Sequence, residues 1–215
     1  MPAAILRSTS AQRHHHPSLL AWVVALSTPW SVAAAPPAPE SYTLDPVHTR
    51  IVFAVSHAGF SEALGSVSGA SGALQFDRQD WTTARLEVEI PLDRIDLGDA
   101  KWNAAVRAPA LLDTARQPRA RFVSSRVEPT GPDSARVCGD LSLRGITRET
   151  CLEVRMNALK RHPLPPFKRT AGFSATGEIS RSAFGIEAWK SVIGDRVQLR
   201  IEAEAQRAAE PRSAP

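Results

Sequence analysis

Around eight runs of alternating apolar and polar residues fill positions 42–206, and this period of two restricts the fold more than any other feature. Strict alternation marks half-buried antiparallel strands. "RLEVEI" places Leu86, Val88 and Ile90 on one face and Arg85, Glu87 and Glu89 on the other. "RVQLRIEAEA" does the same with Val197, Leu199, Ile201, Ala203 and Ala205 against Gln198, Arg200, Glu202 and Glu204. "TRIVFAVSH" has a second face that is itself partly apolar (Val52, Ala54), so that strand is expected to be covered on both sides. The runs are Tyr42–Ala58, Glu62–Asp77, Thr83–Leu92, Arg119–Pro129, Ser134–Leu143, Ile146–Leu159, Ala171–Phe184 and Arg196–Gln206. The spacing predicts one helix, Ala100–Arg107, with Asp99 as its cap, and a short turn over Ala110–Asp113. A domain made of strands must close or stack to protect its edges, so a barrel or a sandwich follows. Gly65, Gly69 and Gly72 fall within one strand pattern, where glycine marks bends or close backbone approach.

The first forty residues break this pattern. Arg7, Arg13 and His14 to His16 form a basic stretch, "LLAWVVAL" an apolar core, and "SVAAAPPAPE" a small-residue segment with a cut expected after Ala34. That is the order of a secretory signal peptide, and the apolar run is too short to span a bilayer. The expected organisation is a signal peptide over 1–34, a linker over 35–41, a β-domain over 42–206 and a disordered tail over 207–215. Removing Arg7 and Arg13 leaves 24 of the 26 Lys and Arg against 22 acids, so no basic excess remains to favour nucleic acid. A periplasmic or secreted location is expected, and it permits disulfides.

The only two cysteines lie in "ARVCGDLSLRGITRETCLEV". With Arg144-Gly145 as a two-residue turn, Leu143 faces Ile146, Val137 faces Leu152 and Cys138 faces Cys151. Val137, Leu141, Leu143, Ile146, Leu152 and Val154 then share an apolar face, and both cysteines lie on the polar one. Opposed side chains in an antiparallel pair lie near the span of a disulfide, at its loose end. A cross-strand disulfide therefore ranks ahead of two free thiols, and thiol chemistry or zinc binding comes last, since no ligand-pair spacing is present.

Several other groups have both a chemical and a structural reading. Asp45 and His48 could orient a base, with Ser56 or Ser61 as nucleophile, but no nucleophile motif accompanies them and a turn into the strand explains them as well. His48, His57 and His162 carry no metal-ligand spacing. Lys160, Arg161, Lys168 and Arg169 in "LKRHPLPPFKR" could hold a phosphate headgroup or form a solvated loop. Trp102 and Trp189 could flank an apolar opening or pack in the core.

In order along the chain, "YTLDPVHTRIVFAVSHAGF", "GSVSGASGALQFD", "GDLSLRGITRE" and "GEISRSAFGI" resemble the successive motifs of the YceI-like family. The resemblance spans about Tyr42 to Ala205. It implies an all-β fold, an eight-stranded antiparallel lipocalin-like barrel with one short helical segment near residues 100–107. It also implies an apolar cavity for an isoprenoid or similar lipid, a periplasmic setting and, for some members, a membrane cytochrome b561-type partner. One stretch departs from the family: in "KWNAAVRAPALLD", Trp102, Asn103, Ala105 and Val106 replace a polar helix set, and Leu111-Leu112-Asp113 an aromatic one. Headgroup contacts from that helix are not carried over.

The residues and the resemblance agree on a carrier or sequestering protein for a long apolar chain, since burying each CH₂ gains about 0.8 kcal/mol. The expected cavity lining is Ile51, Phe53, Val55, Phe76, Leu86 and Val88, together with Ile90, Phe122, Leu141, Leu143, Leu152 and Phe173, with His48 and His57 as polar contacts. No cofactor is expected beyond a bound isoprenoid-like lipid or quinone. A homodimer is left open. The alternatives are a hydrolase using Asp45 and His48, and a non-enzymatic partner module for a membrane cytochrome.

Overall fold

The computed structural model describes residues 38–209. The signal peptide expected over residues 1–34 and residues 210–215 of the expected tail lie outside the described residues. Eleven strand segments are described: β1 (Glu40–Leu44), β2 (Arg50–His57), β3 (Ser61–Ser68), β4 (Ser71–Phe76), β5 (Arg85–Pro91), β6 (Ile95–Asp96), β7 (Arg119–Gly131), β8 (Ser134–Leu143), β9 (Ile146–Arg161), β10 (Arg169–Ser180) and β11 (Ile193–Arg207). The helix α1 is Ala100–Arg107. No helix of the described residues is long and apolar enough to cross a membrane.

Eight of the segments close into an antiparallel ring, β1-β4-β5-β7-β8-β9-β10-β11, with β1 returning to β11. β11 pairs with β10 along one edge and is long enough to serve two neighbours along the other. Its end pairs with β1, as in Leu44 with Ala205, and its earlier part pairs with β2, as in Phe53 with Leu199. The ladder continues from β2 to β3 and then to β6. Closure protects the edges of the ring, while β3 is paired on the side away from β2 only at Ser66 and Val67, by β6.

Two of the expected continuous runs are in fact broken. The Tyr42–Ala58 run turns at Asp45, whose carboxylate accepts the Val47 amide at 2.8 Å while its carbonyl accepts the Thr49 amide at 2.9 Å. The Glu62–Asp77 run bends at Gly69, where φ is +78°, a conformation that favours glycine. A third run, Ala171–Phe184, ends early: Ser182–Phe184 is a 3₁₀ turn, because Asp195 accepts the Ser182 amide at 2.9 Å and draws the chain out of the strand. β1 begins at Glu40, inside the expected linker, and β11 ends at Arg207. Helix α1 has the expected limits, and the Asp99 carboxylate accepts the Lys101 and Trp102 amides at 2.9 and 3.0 Å.

The β8–β9 hairpin has the register expected from the two-residue turn, with Leu143 opposite Ile146 and Cys138 opposite Cys151. Arg144 and Gly145 have φ of +52° and +76°, the primed turn that matches strand twist. Arginine is an unusual residue there. Its guanidinium donates to the carbonyl of Gly185 and, at 2.9 Å, to that of Pro109, which ties the turn to two neighbouring loops. Cys138 and Cys151 form a disulfide. It lies on the outward side of the hairpin, as expected, but Cys138 is fully buried rather than exposed. Its neighbours on that face are Arg126, Arg136 and Asp140. Asp140 faces Glu149, an unfavourable pair, and Arg126 reaches to 4.0 Å of Glu149. Elsewhere on the outer face Glu87 pairs with Arg121 at 2.6 Å and Glu178 with Arg196 at 2.9 Å. Such exposed pairs add little to stability.

Inside, the two ends of the barrel differ. Along β5 the inward residues pass from Leu86, which packs against the core, to Ile90, which lines a cavity. The core end is filled by aromatic rings. Phe76 meets Trp81 edge to face with ring centres 5.0 Å apart, and meets Phe173 the same way at 5.6 Å. Trp81 comes from a 3₁₀ turn between β4 and β5 that closes this end like a plug.

Candidate functional site: a hollow barrel end

The other end holds a cavity of about 370 Å³, within the range of small-molecule sites. Its walls are the inward residues of β2, β3, β5, β7, β8, β9, β10 and β11 at that end, for example Phe53, Ile90, Leu141, Leu152, Ile179 and Leu199. Phe53 can lie inside because Gly65 faces it across the β2–β3 ladder. A Cβ on Gly65 would come within 2.2 Å of the Phe53 ring.

The roof is α1 with the turn after it. Three side-chain bonds hold the helix by its polar face. Asn103 Oδ1 accepts the Leu97 amide at 2.7 Å, Asn103 Nδ2 donates to Asp96 at 2.8 Å, and Arg107 donates to the Ile95 carbonyl at 2.7 Å. The Asn103 bond holds the Asp96 carboxyl below its usual range. The other face presents Trp102, Ala105 and Val106 to the cavity, followed by Leu111 and Leu112. These residues make the roof apolar.

The opposite rim is the segment between β10 and β11. Arg181, 5% exposed, organises it. Its guanidinium donates to the carbonyls of Gly194 (2.8 Å), Ile186 (2.7 Å), Ala188 (2.9 Å) and Ile193 (2.8 Å). Asp195 caps the same segment. Hydroxyl bonds from Ser180 and Ser182 and the Ser182 amide lower its carboxyl to about 2. Together they position Ile186, Trp189 and Val192 at the mouth.

Polar atoms are few in the lining, coming from Ser56, His57, Thr150 and Arg181. The His57 ring lies against Trp102 with centres 5.2 Å apart.

Of the residues expected to line a cavity, Ile51, Phe53, Val55, Ile90, Phe122, Leu141, Leu143 and Leu152 do border it, as does His57. Four do not. Phe76 and Phe173 belong to the packed core, where their rings meet Trp81, and Leu86 and Val88 pack against that core. His48 is also absent from the lining. It sits on the exposed turn before β2, where its Nδ1 lies 2.9 Å from Asp45 Oδ2, and that bond raises its pKa. Burial alone would raise the Asp45 carboxyl, but bonds from the His48 ring and the Val47 and His48 amides outweigh it and leave it lowered. Gln206 also donates to Asp45, at 3.0 Å, so the pair ties the turn to β11. Ser56 borders the cavity rather than this turn, and Ser61 faces His57 across the β2–β3 ladder. Among the described residues, no three His, Cys, Asp or Glu side chains come together as metal ligands would. Trp102 and Trp189 both flank the opening, the first of their two readings. Arg181 stands in the motif "GEISRSAFGI", but the motif alone assigns it no role of its own. The signal that could have found it is an arginine placed where an alternating strand gives way to a turn.

A closed antiparallel barrel, solid at one end and hollow and apolar at the other, defines a class of barrels that enclose one small ligand. Within that class the chain belongs to the YceI-like family: the family model of the YceI-like domain matches residues 42–205. A UPF0312 protein of Shewanella denitrificans is 30% identical over 178 residues, covering 82% of this chain and 88% of the relative. One from Pseudomonas savastanoi is 29% identical over 140 residues, covering 65% and 72%. Among solved structures, Burkholderia cenocepacia BcnA shares the fold with a TM-score of 0.68 and 24% identity, over 76% of this chain and 99% of that one. A polyisoprenoid binding domain from Saccharophagus degradans does so with a TM-score of 0.58 and 17% identity, over 79% and 99%.

Proposed function

We propose that the protein is an exported carrier or sequestering protein that holds an isoprenoid-like or other long apolar chain in the hollow end of its barrel. The observation that carries this reading is the cavity lining, which is apolar except for Ser56, His57, Thr150 and Arg181. Such a wall rewards hydrocarbon in proportion to the area removed from water and offers a headgroup little else. The apolar roof of Trp102, Ala105 and Val106 argues for a ligand whose polar part is small or lies outside the mouth. A structural relative described as a polyisoprenoid binding domain supports the same ligand class. Export is supported by the signal-like N-terminus and agrees with the Cys138–Cys151 disulfide.

Ala105 offers a test. Ala105→Trp places a large side chain in the cavity from a half-buried position on α1. Uptake of a fluorescent polyprenyl or quinone probe should fall at least about tenfold, the effect of losing roughly two buried CH₂ contacts or more, while the fold is retained. Undiminished uptake by this variant would contradict binding in the cavity.

A further inference from the structure

At the far end of the barrel from the mouth, the loop between β9 and β10 has a composition that the cavity does not explain. β9 starts at the hairpin turn beside the hollow end and runs for 16 residues to Arg161, so the loop that follows lies at the filled end. Residues 159–169 contain Lys160, Arg161, Lys168 and Arg169 and no acidic residue. Arg169 pairs with Glu40 at 3.3 Å, but among the described residues no ion pair engages Lys160, Arg161 or Lys168. Between these cations Leu164 and Phe167 are 63% and 49% exposed.

The loop has a built shape. The His162 amide donates to the Lys168 carbonyl at 2.8 Å and closes its base. The Leu164 amide donates to the His162 ring at 3.2 Å, and the Phe167 amide to the Leu164 carbonyl at 2.9 Å. Two large apolar side chains are thereby held in water at the tip, flanked by cations on both strands.

We infer that this loop docks the protein on an anionic bilayer, with Leu164 and Phe167 entering the interface and Lys160, Arg161 and Lys168 facing lipid phosphates. The charge selects an anionic surface, and the apolar pair selects a bilayer over a soluble polyanion, which has no place for them. Docking there leaves the cavity mouth uncovered.

The test is co-sedimentation of the purified protein with vesicles of equal parts phosphatidylcholine and phosphatidylglycerol, and with phosphatidylcholine vesicles as control. Binding is expected on the anionic vesicles only, weakening at high salt. Each cation near such a surface contributes about fivefold, so Lys160→Gln with Arg161→Gln and Lys168→Gln should lower binding roughly a hundredfold. Leu164→Ser with Phe167→Ser should also weaken it, with melting temperature and probe uptake by the cavity unchanged. Three results would overturn the inference: no binding to the anionic vesicles, binding by both loop variants equal to that of the wild type, or loss of binding in Trp189→Ser with Val192→Ser at the mouth instead. Undiminished polyphosphate binding by the Leu164/Phe167 variant, together with undiminished vesicle binding, would assign the loop to soluble polyanions.

Discussion

Arg181 and Asp195 show how single side chains shape the mouth of the cavity. One arginine satisfies four backbone carbonyls and lets an irregular segment stay ordered beside an apolar space. Buried carbonyls left without a donor are costly, so Arg181→Leu should destabilise the fold by about 3 kcal/mol or more, as measured by chemical denaturation. Asp195 acts on the same segment from outside. Its folded pKa of about 2 lies below the ordinary 3.8, so its contribution is complete above the ordinary value and is lost as pH falls through about 2. Asp195→Asn should melt at a lower temperature near neutral pH and show a flatter loss of stability on acidification through that window. An unchanged acid profile would remove Asp195 from this role. Residues of this kind were poorly legible in the sequence. The roles of Arg181 and Asn103 depend on which carbonyls and amides fold back to meet them, and no spacing rule reports that. His48 was legible with Asp45 both as a pairing and as part of a turn into the strand, and the structure has both, since its ring bonds Asp45 on an exposed turn.

At the scale of elements the sequence was far more informative. The period of two, helix α1 with its Asp99 cap, and the β8–β9 register were all readable, because each rests on local chemistry: alternation, an N-cap and a turn length. The register in turn placed Cys138 opposite Cys151. The bridge closes a loop of 13 residues' separation, and such a cross-link contributes about 2–4 kcal/mol. Reduction, or Cys138→Ala with Cys151→Ala, should lower stability by that amount while strand content and the cavity persist. A loss of the fold itself would mean that the hairpin depends on the bridge. A turn at Asp45 and a bend among Gly65, Gly69 and Gly72 were legible too; that they split the two runs into separate strands was harder to see, since alternation continues across both.

For the whole molecule, the main gap between sequence and structure is the division into a solid and a hollow end. Leu86 and Ile90 lie on one strand face, as do Phe173 and Ile179, and nothing in their alternation says which member of each pair meets a packed core. The plug that decides it, Trp81, comes from a connecting turn, and its rings pack only once the barrel has closed. Four of the twelve expected lining residues were misplaced for that reason. The roof could be read only as a departure from family motifs until α1 was seen to turn that apolar face inward.

The central claim is that the hollow end holds an apolar chain. Native mass spectrometry of the purified protein, followed by organic extraction, tests it most directly. The account predicts a co-purifying lipid with a long apolar chain, present in the wild type and reduced in Ala105→Trp. Recovery of no lipid, together with no uptake of polyprenyl or quinone probes, would contradict it.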